Sequence, residues 1–247
     1  MSAATVDSSN PHSPDGYDSF FEYTVGRFIH NEAKQLALRR ISFDIAALMN
    51  VAVNACGAQR VVSMKKVEEG HYNKGFLLVL DNSKEVIARI PTPAASPAHV
   101  ASEVATMDYV SSHLGVPTPK VLAWSADVEG NPVGAPYMIT EKEPGQRLSV
   151  VWDDLSPEMK TTAVTEWVRL EKRMTEANLS GGYGSIFYKD DPRAPSPRDL
   201  YSKGTKEEGF VLGPDMDMCF WGDDWQKVDA NRGPCTYLYL CIYTSWF

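Results

Sequence analysis

The chain has 247 residues, 43% of them apolar and 11% aromatic, which suffices for one large domain or two small lobes. Its net charge of −8 excludes a general binder of nucleic-acid backbones, whose affinity rests on clustered Lys and Arg. No run reaches the roughly 18 apolar residues that a membrane span needs.

Residues 1–19 are rich in Ser, Asp, Pro and Ala and hold no Lys or Arg. That composition predicts a disordered tail, unlike a mitochondrial presequence, which should be Arg-rich and poor in acids. Residues 20–42 mix aromatics with a basic helix-like piece ending at Arg39-Arg40, a pair expected on a solvated face. An amphipathic helix follows. Ser42 can cap it; Ile45, Leu48, Met49, Ala52, Val53 and Cys56 make one stripe, and Gly57 stops it.

Residues 59–68 form a predicted strand leading into Gly70-His71-Tyr72-Asn73-Lys74-Gly75, a loop with glycine at both ends. Glycine admits backbone shapes closed to other residues and lets N–H groups approach an anion. Two apolar runs, 76–80 and 86–90, flank the polar spacer Asp81-Asn82-Ser83-Lys84, a hairpin signal. Val86, Ala88 and Ile90 point one way, Ile87 and Arg89 the other. Arg89 thus stands in a strand apolar on both faces, where a buried guanidinium needs an anion. Ser96-Pro97 starts the next helix with Pro at its first position, and Gly115 ends it. Val100, Val104, Met107, Ser111 and Leu114 make the sheet-facing stripe, with Glu103 among them, so Glu103 is expected to meet Arg89. A glycine loop, a strand cation and a helix acid, in that order, form the phosphate-gripping half of a kinase-type nucleotide site. A structural ion pair without ligand is the bland alternative.

Lys120 to Trp124 and Tyr137 to Glu141 are short predicted strands around a turn at 127–130. The second runs into Lys142-Glu143-Pro144-Gly145, a hinge. Helix signals resume at Ser156-Pro157, and Met159, Ala163, Trp167, Leu170, Met174 and Ala177 predict a long helix with one buried stripe. Gly181-Gly182-Tyr183-Gly184-Ser185 lacks the strand and helix that flank a phosphate loop and is read as a turn. Residues 189–209 are charged and Pro-rich, a loop. Residues 235–247 carry no charge and include five aromatics. Cys56, Cys219, Cys235 and Cys241 have no metal-ligand spacing and no signal peptide before them, so reduced thiols are expected.

Several phrases in one order carry a resemblance: Tyr23-Thr24-Val25-Gly26-Arg27, Glu69-Gly70-His71-Tyr72-Asn73-Lys74, Val86-Ile87-Ala88-Arg89-Ile90-Pro91, Ser102-Glu103-Val104-Ala105-Thr106, the Pro117 to Trp124 stretch and the hinge at 137–148. Together they resemble the fungal branch of the aminoglycoside phosphotransferase family, and within it the type named for altered inheritance of mitochondria. The similarity runs from Tyr17 to about Pro234. It implies an α+β fold: a protein-kinase-like N-lobe of antiparallel sheet plus helix, and an incomplete helical C-lobe. The implied divisions are a tail at 1–19, an N-lobe with an N-terminal extension at 20–143, a partial C-lobe at 144–234 and an atypical apolar tail at 235–247. The resemblance implies ATP as the bound nucleotide. Gly70, His71, Tyr72, Asn73, Lys74 and Gly75 would cover its phosphates. Arg89 and Glu103 would be the strand–helix pair, and Glu141, Lys142 and Glu143 would meet adenine. His71 departs from the pattern, which has a second glycine there. The acceptor would be a small molecule whose identity the sequence does not give. The resemblance also implies a mitochondrial location, where composition alone suggests the cytoplasm.

Phosphoryl transfer needs an Asp beside the acceptor hydroxyl, in a His-x-Asp loop, and a second Asp on magnesium. Two positions after the five histidines stand Pro14, Glu32, Asn73, Ala101 and Gly115, so the sequence has no His-x-Asp. Asp224-Trp225 matches the metal-binding Asp only superficially. No catalytic or metal residue is assigned, magnesium is not expected to be held, and the family's greater length implies an early stop. The remaining acids, Asp153, Asp154, Asp215, Asp217, Asp223 and Asp224, lack flanking strands or come too early. The expected function is that of a kinase-like family protein with an ATP-binding N-lobe and no catalysis. The alternatives are an active small-molecule kinase in a longer form and a non-enzymatic interaction module.

Overall fold

A computed structural model describes residues 5–7, 17–70, 72–92, 96–177, 179, 181–200, 209–217, 221, 228 and 230–236. The expectations for His71, for Asp223 and Asp224, and for all but the first two residues of the apolar tail lie outside the described residues. The fold is the α+β arrangement expected: an antiparallel sheet with helices on both faces.

The sheet opens at its edge with β1 (Thr5–Asp7), which pairs with β2 (Val61–Glu69). This corrects the reading of residues 1–19 as wholly disordered, as does α1 (Asp18–Phe21), which starts inside that range. β2 pairs with β3 (Asn73–Leu80) and β3 with β4 (Glu85–Pro91), the hairpin foreseen across 81–84. β5 (Val121–Ser125) forms the far edge, beyond β6 (Tyr137–Glu141), and β6 pairs with β4. The order is β1-β2-β3-β4-β6-β5.

Alternation along β3 and β4 sorts the side chains. Phe76, Leu78, Leu80, Val86, Ala88 and Ile90 are buried on the back face, which the N-terminal region covers. α2 (Glu32–Arg39) precedes that cover, and α3 (Ile45–Cys56) is its main helix. Leu48, Ala52 and Cys56 of α3 join the core, and Phe20 and Phe43 meet Phe76 at an angle, with ring centroids 5.2 and 5.5 Å away. The cap of α3 is Asp44, which accepts from the Ala47 amide at 2.8 Å; Ser42 lies two residues too early. Gly57 stops the helix in the left-handed conformation, φ 63°. Arg39 is also corrected. It is buried, lies over the Phe28 ring at 4.7 Å and donates to Gln35, whereas Arg40 is exposed and pairs with Glu22.

α4 (Pro97–Ser112) lies on the front face, capped by Ser96 as foreseen. Val100 and Val104 pack toward Met138 of β6. The sequence reading missed a second buried stripe, Ala101, Ala105 and Tyr109. After the hinge come α5 (Leu148–Val151) and α6 (Pro157–Glu176). A small antiparallel sheet then forms from β7 (Ser185–Tyr188), β8 (Arg198–Asp199) and β9 (Phe210–Gly213), ordered β7-β9-β8. Ala105 and Tyr109 pack with its Ile186, Phe210 and Leu212. The stretch 181–185 is therefore the approach to a strand as well as a turn. A Cβ on Gly181 would stand 1.8 Å from the Asp199 carbonyl oxygen, so only glycine permits that backbone contact.

The expectation of a buried stripe on α6 is overturned. No residue of α6 is buried, and Trp167 is 64% exposed. Periodicity shows that a helix has an apolar side; whether anything covers it is a tertiary matter. Arg173 does tie α6 to the end of α4, donating to the Gly115 carbonyl at 2.9 Å. Cys235 is disulfide-bonded, against the expectation of reduced thiols, while Cys56 is free and buried. Among the described residues no helix is long and apolar enough to cross a membrane.

Candidate functional site

The front face of the sheet meets the hinge in a cleft of about 520 Å³. Val67 and Glu68 of β2, Leu77 of β3, Ile87 and Arg89 of β4, Met107 of α4, Pro119 and residues 140–147 line it. Strand alternation explains this membership, since Leu77, Ile87 and Arg89 occupy the positions opposite the back-face core. Arg89 and the hinge residues Glu141, Lys142 and Glu143, all singled out in the sequence, thus share one cavity.

The foreseen ion pair is made: Arg89 Nη1 donates to Glu103 Oε1 at 2.6 Å. The expectation of a buried guanidinium is corrected, because the Arg89 side chain is 42% exposed. It borders open space in the cleft instead of closing against the core. The other Glu103 oxygen lies 4.0 Å from His99 Nε2.

The glycine stretch is shorter as a loop than expected. Asn73, Lys74 and Gly75 already belong to β3, and the Gly70 amide donates to the Asn73 carbonyl at 2.9 Å, closing a tight turn. The Tyr72 carbonyl accepts from the Thr92 amide at 2.7 Å, which anchors the turn to the end of β4. Gly75 sits between Glu68 on one side and Arg89 on the other. A Cβ on Gly75 would stand 3.2 Å from Glu68 Cβ, and neither Gly75 nor the turn lines the cleft itself.

Lys74 is not in the cleft. It lies on the back face, fully buried, where its ammonium donates to the Glu22 carbonyl at 2.7 Å and to the Glu69 carboxylate. Burial pulls the Lys74 pKa below its ordinary value, and the bond to Glu69 opposes that pull only in part. Burial pushes Glu69 upward, but hydrogen bonds from Lys66 and Lys74 outweigh it and hold the carboxyl below its ordinary value.

At the hinge, the Glu141 amide donates to the Lys120 carbonyl at 2.9 Å, and Lys142 Nζ pairs with Glu85 at 2.7 Å. The Glu143 amide makes no hydrogen bond to another described residue. Arg147, just beyond, pairs with Glu68 across the mouth of the cleft.

Two acids are placed differently from expectation. Asp215 and Asp217 follow β9 directly, so a strand does fix them. The Asp215 amide donates to the Arg232 carbonyl at 2.6 Å, and the Met216 amide to Ser185 Oγ at 2.9 Å. With His99 and Glu103 they line a neighbouring cavity of about 470 Å³. The only signal for this was the short apolar run Phe210-Val211-Leu212. Asp153 and Asp154 sit in an exposed turn after α5. Among the described residues no group of three His, Cys, Asp or Glu is arranged to hold a metal ion.

Residues 63–197 match the phosphotransferase enzyme family, APH. The chain is 39% identical over 172 residues to a subtelomeric hrmA-associated cluster protein of Aspergillus fumigatus, covering 69% of this chain and 32% of that relative. It is 27% identical over 268 residues to the mitochondrial altered inheritance of mitochondria protein 9 of Candida tropicalis, covering 92% of this chain and 42% of that one. The chain therefore spans between a third and a half of the length of these relatives. Among solved structures, the GDP and kanamycin complex of APH(2")-IIia is similar at 17% identity and a TM-score of 0.32, over 41% of this chain and 31% of that one.

Proposed function

The chain belongs to the phosphotransferase enzyme family, and from that premise we propose that the front-face cleft holds the nucleotide of a phosphoryl-transfer site, with ATP as donor. The observation that carries this is the convergence of Arg89, already paired with Glu103, and the hinge residues 141–143 on one cavity. A half-exposed guanidinium on the wall of a cleft can take a phosphate oxygen without giving up its carboxylate partner. Val67, Leu77 and Ile87 offer an apolar wall for a base, and the open amide of Glu143 a hydrogen bond to its edge. The turn at 70–73 would close over the phosphates from the end of the hairpin.

On this reading the residues here grip the leaving nucleotide and do not by themselves transfer its phosphoryl group. Transfer needs a positioned acid at the acceptor and charge neutralisation at the phosphate, and the sequence contains no His-x-Asp. Magnesium carboxylates are likewise not assigned. A second reading, an active small-molecule kinase, draws support from Asp215 and Asp217 standing across a cavity from Glu103. A mitochondrial location is proposed from the names of the relatives, and cell fractionation tests it.

ATP should raise the melting temperature of the chain, and Arg89→Ala should remove most of that shift; an unchanged shift in the variant would sink the nucleotide reading. Labelled ATP offered with aminoglycosides, choline or sugar amines should give no product above background. Turnover lost in Asp215→Asn would establish the second reading instead.

A further inference from the structure

One buried cluster joins residues 19–24 to the base of the turn, although they lie far apart in sequence. Glu69 ends β2, Lys74 is the second residue of β3, and the two are direct ladder partners. They form the last rung before the turn at 70–73. The Glu69 carboxylate accepts from the Thr24 amide at 2.7 Å, from Thr24 Oγ1 at 2.9 Å, from Lys66 Nζ at 2.8 Å and from Lys74 Nζ. The ammonium groups also meet carbonyls at the end of α1: Lys74 donates to Glu22 at 2.7 Å, Lys66 to Glu22 at 2.8 Å and Ser19 at 3.0 Å. Its charged side chains are buried, with exposures of 0% for Lys74, 2% for Glu69 and 11% for Lys66, while Thr24 and Glu22 cover them from the surface.

Ionic groups this far from water persist only while their partners stay in place, so the cluster has one geometry. That geometry fixes the rung at Glu69 and Lys74. The adjacent rung is Glu68 with Gly75, and Gly75 in turn faces Arg89. A shift of the first rung is therefore passed through Gly75 to its ladder partner Arg89. The Thr92–Tyr72 hydrogen bond holds only the other side of the turn.

We propose that residues 19–24 are a positioning element of the nucleotide site, holding the turn at 70–73 through Glu69, so that phosphate affinity depends on Thr24, Lys66 and Lys74 although none of them faces the cleft. This rests on the nucleotide reading above. A cluster that only stabilised the fold would affect every ligand of the cleft alike. A cluster that positions the turn affects the phosphates and spares the base.

The test uses the full 247-residue chain and the variants Thr24→Val, Thr24→Ser and Glu69→Gln, with ATP and adenosine as probes. Thr24→Val removes two hydrogen bonds, the hydroxyl's own to Glu69 and the one it accepts from Lys66 at 3.2 Å, and should weaken ATP roughly twofold to tenfold, with adenosine affinity unchanged. Thr24→Ser, which keeps the hydroxyl, should restore wild-type ATP affinity. Amide exchange at 70–75 should quicken in Thr24→Val while that of α4 stays the same. Equal losses for ATP and adenosine, or faster exchange with unchanged ATP affinity, would overturn the proposal. If wild type binds neither probe, the nucleotide reading fails; amide exchange then decides separately whether the segment holds the turn, and unchanged exchange at 70–75 refutes it. Should Glu69→Gln fail to fold, the Thr24 pair carries the test alone.

Discussion

Two ion pairs stand on opposite faces of the same sheet. On the back, Lys74 and Glu69 are sealed from water at the base of a turn; on the front, Arg89 and Glu103 keep 42% and 24% of their side chains exposed. From the sequence, Lys74 and Arg89 both belonged to one ligand-binding set. The structure divides them. A cation buried in the fold on Glu22 and Glu69 is closed to a ligand, whereas one on a cleft wall is open to it. Pairing alone does not tell the two cations apart; access to the cleft does.

The comparison breaks most decisively at Glu69. Glu69→Gln leaves two ammonium groups without their shared carboxylate, and removing one partner of a buried pair destabilises by about 3–5 kcal/mol. Urea unfolding should show a loss of that size. A loss below about 1 kcal/mol would mean that water reaches the cluster and that the two faces do not differ. Arg89→Ala should behave in the opposite way. Exposed pairs contribute only about 0.2–1 kcal/mol, so stability should hardly move. A charge-assisted bond to phosphate contributes about 1.5–3 kcal/mol, so ATP affinity should fall by roughly tenfold or more, as titration calorimetry would read it.

The pH dependence sharpens the same contrast. Glu69 titrates below its ordinary 4.5 in the folded chain, so the unfolded chain takes up the proton first as pH falls. Its stabilisation is complete above 4.5 and is lost as pH drops through the folded value. Lys74 titrates below its ordinary 10.5, because burial disfavours the ammonium. Between its folded value and 10.5 the unfolded chain holds more protons, so stability rises with pH there. Denaturant titrations at stepped pH should show both limbs, and Glu69→Gln should flatten the acid one. An unchanged acid limb in that variant would assign it to other carboxylates.

What the sequence could disclose follows the same division. The hairpin was legible because its apolar runs and polar spacer are adjacent. Arg89–Glu103 was legible because a cation inside an apolar strand and an acid on a helix stripe each demand a partner. The burial of Lys74 was not, because the Glu22 carbonyl reaches it only once residues 17–24 have folded across the sheet. The stripe of α6 was legible as a pattern, and its exposure was to be expected only from an incomplete C-lobe, since 3.6-residue periodicity says nothing of cover. β7 and β9 escaped notice because each has four residues and a charged, Pro-rich stretch divides them. Asp215 and Asp217 went with them, since what fixes those acids is β9.

The smallest effect is expected at a third pair, Glu68 with Arg147, which bridges the mouth of the cleft with side chains 52% and 66% exposed. There the attraction acts through water, and two long side chains must give up rotamer freedom to meet. Arg147→Ala should therefore change stability by less than about 0.5 kcal/mol, the range of ordinary surface substitutions. Salt provides the second arm of this test. At about 1 M ionic strength the Debye length falls to roughly 3 Å, so any small difference between wild type and Arg147→Ala should vanish. The Glu69→Gln difference should survive, because buried charges are little screened. If Arg147→Ala proved as damaging as Glu69→Gln, and stayed so in salt, exposure would no longer rank the three pairs. The separation of a structural back face from an accessible front face would fall with that ranking.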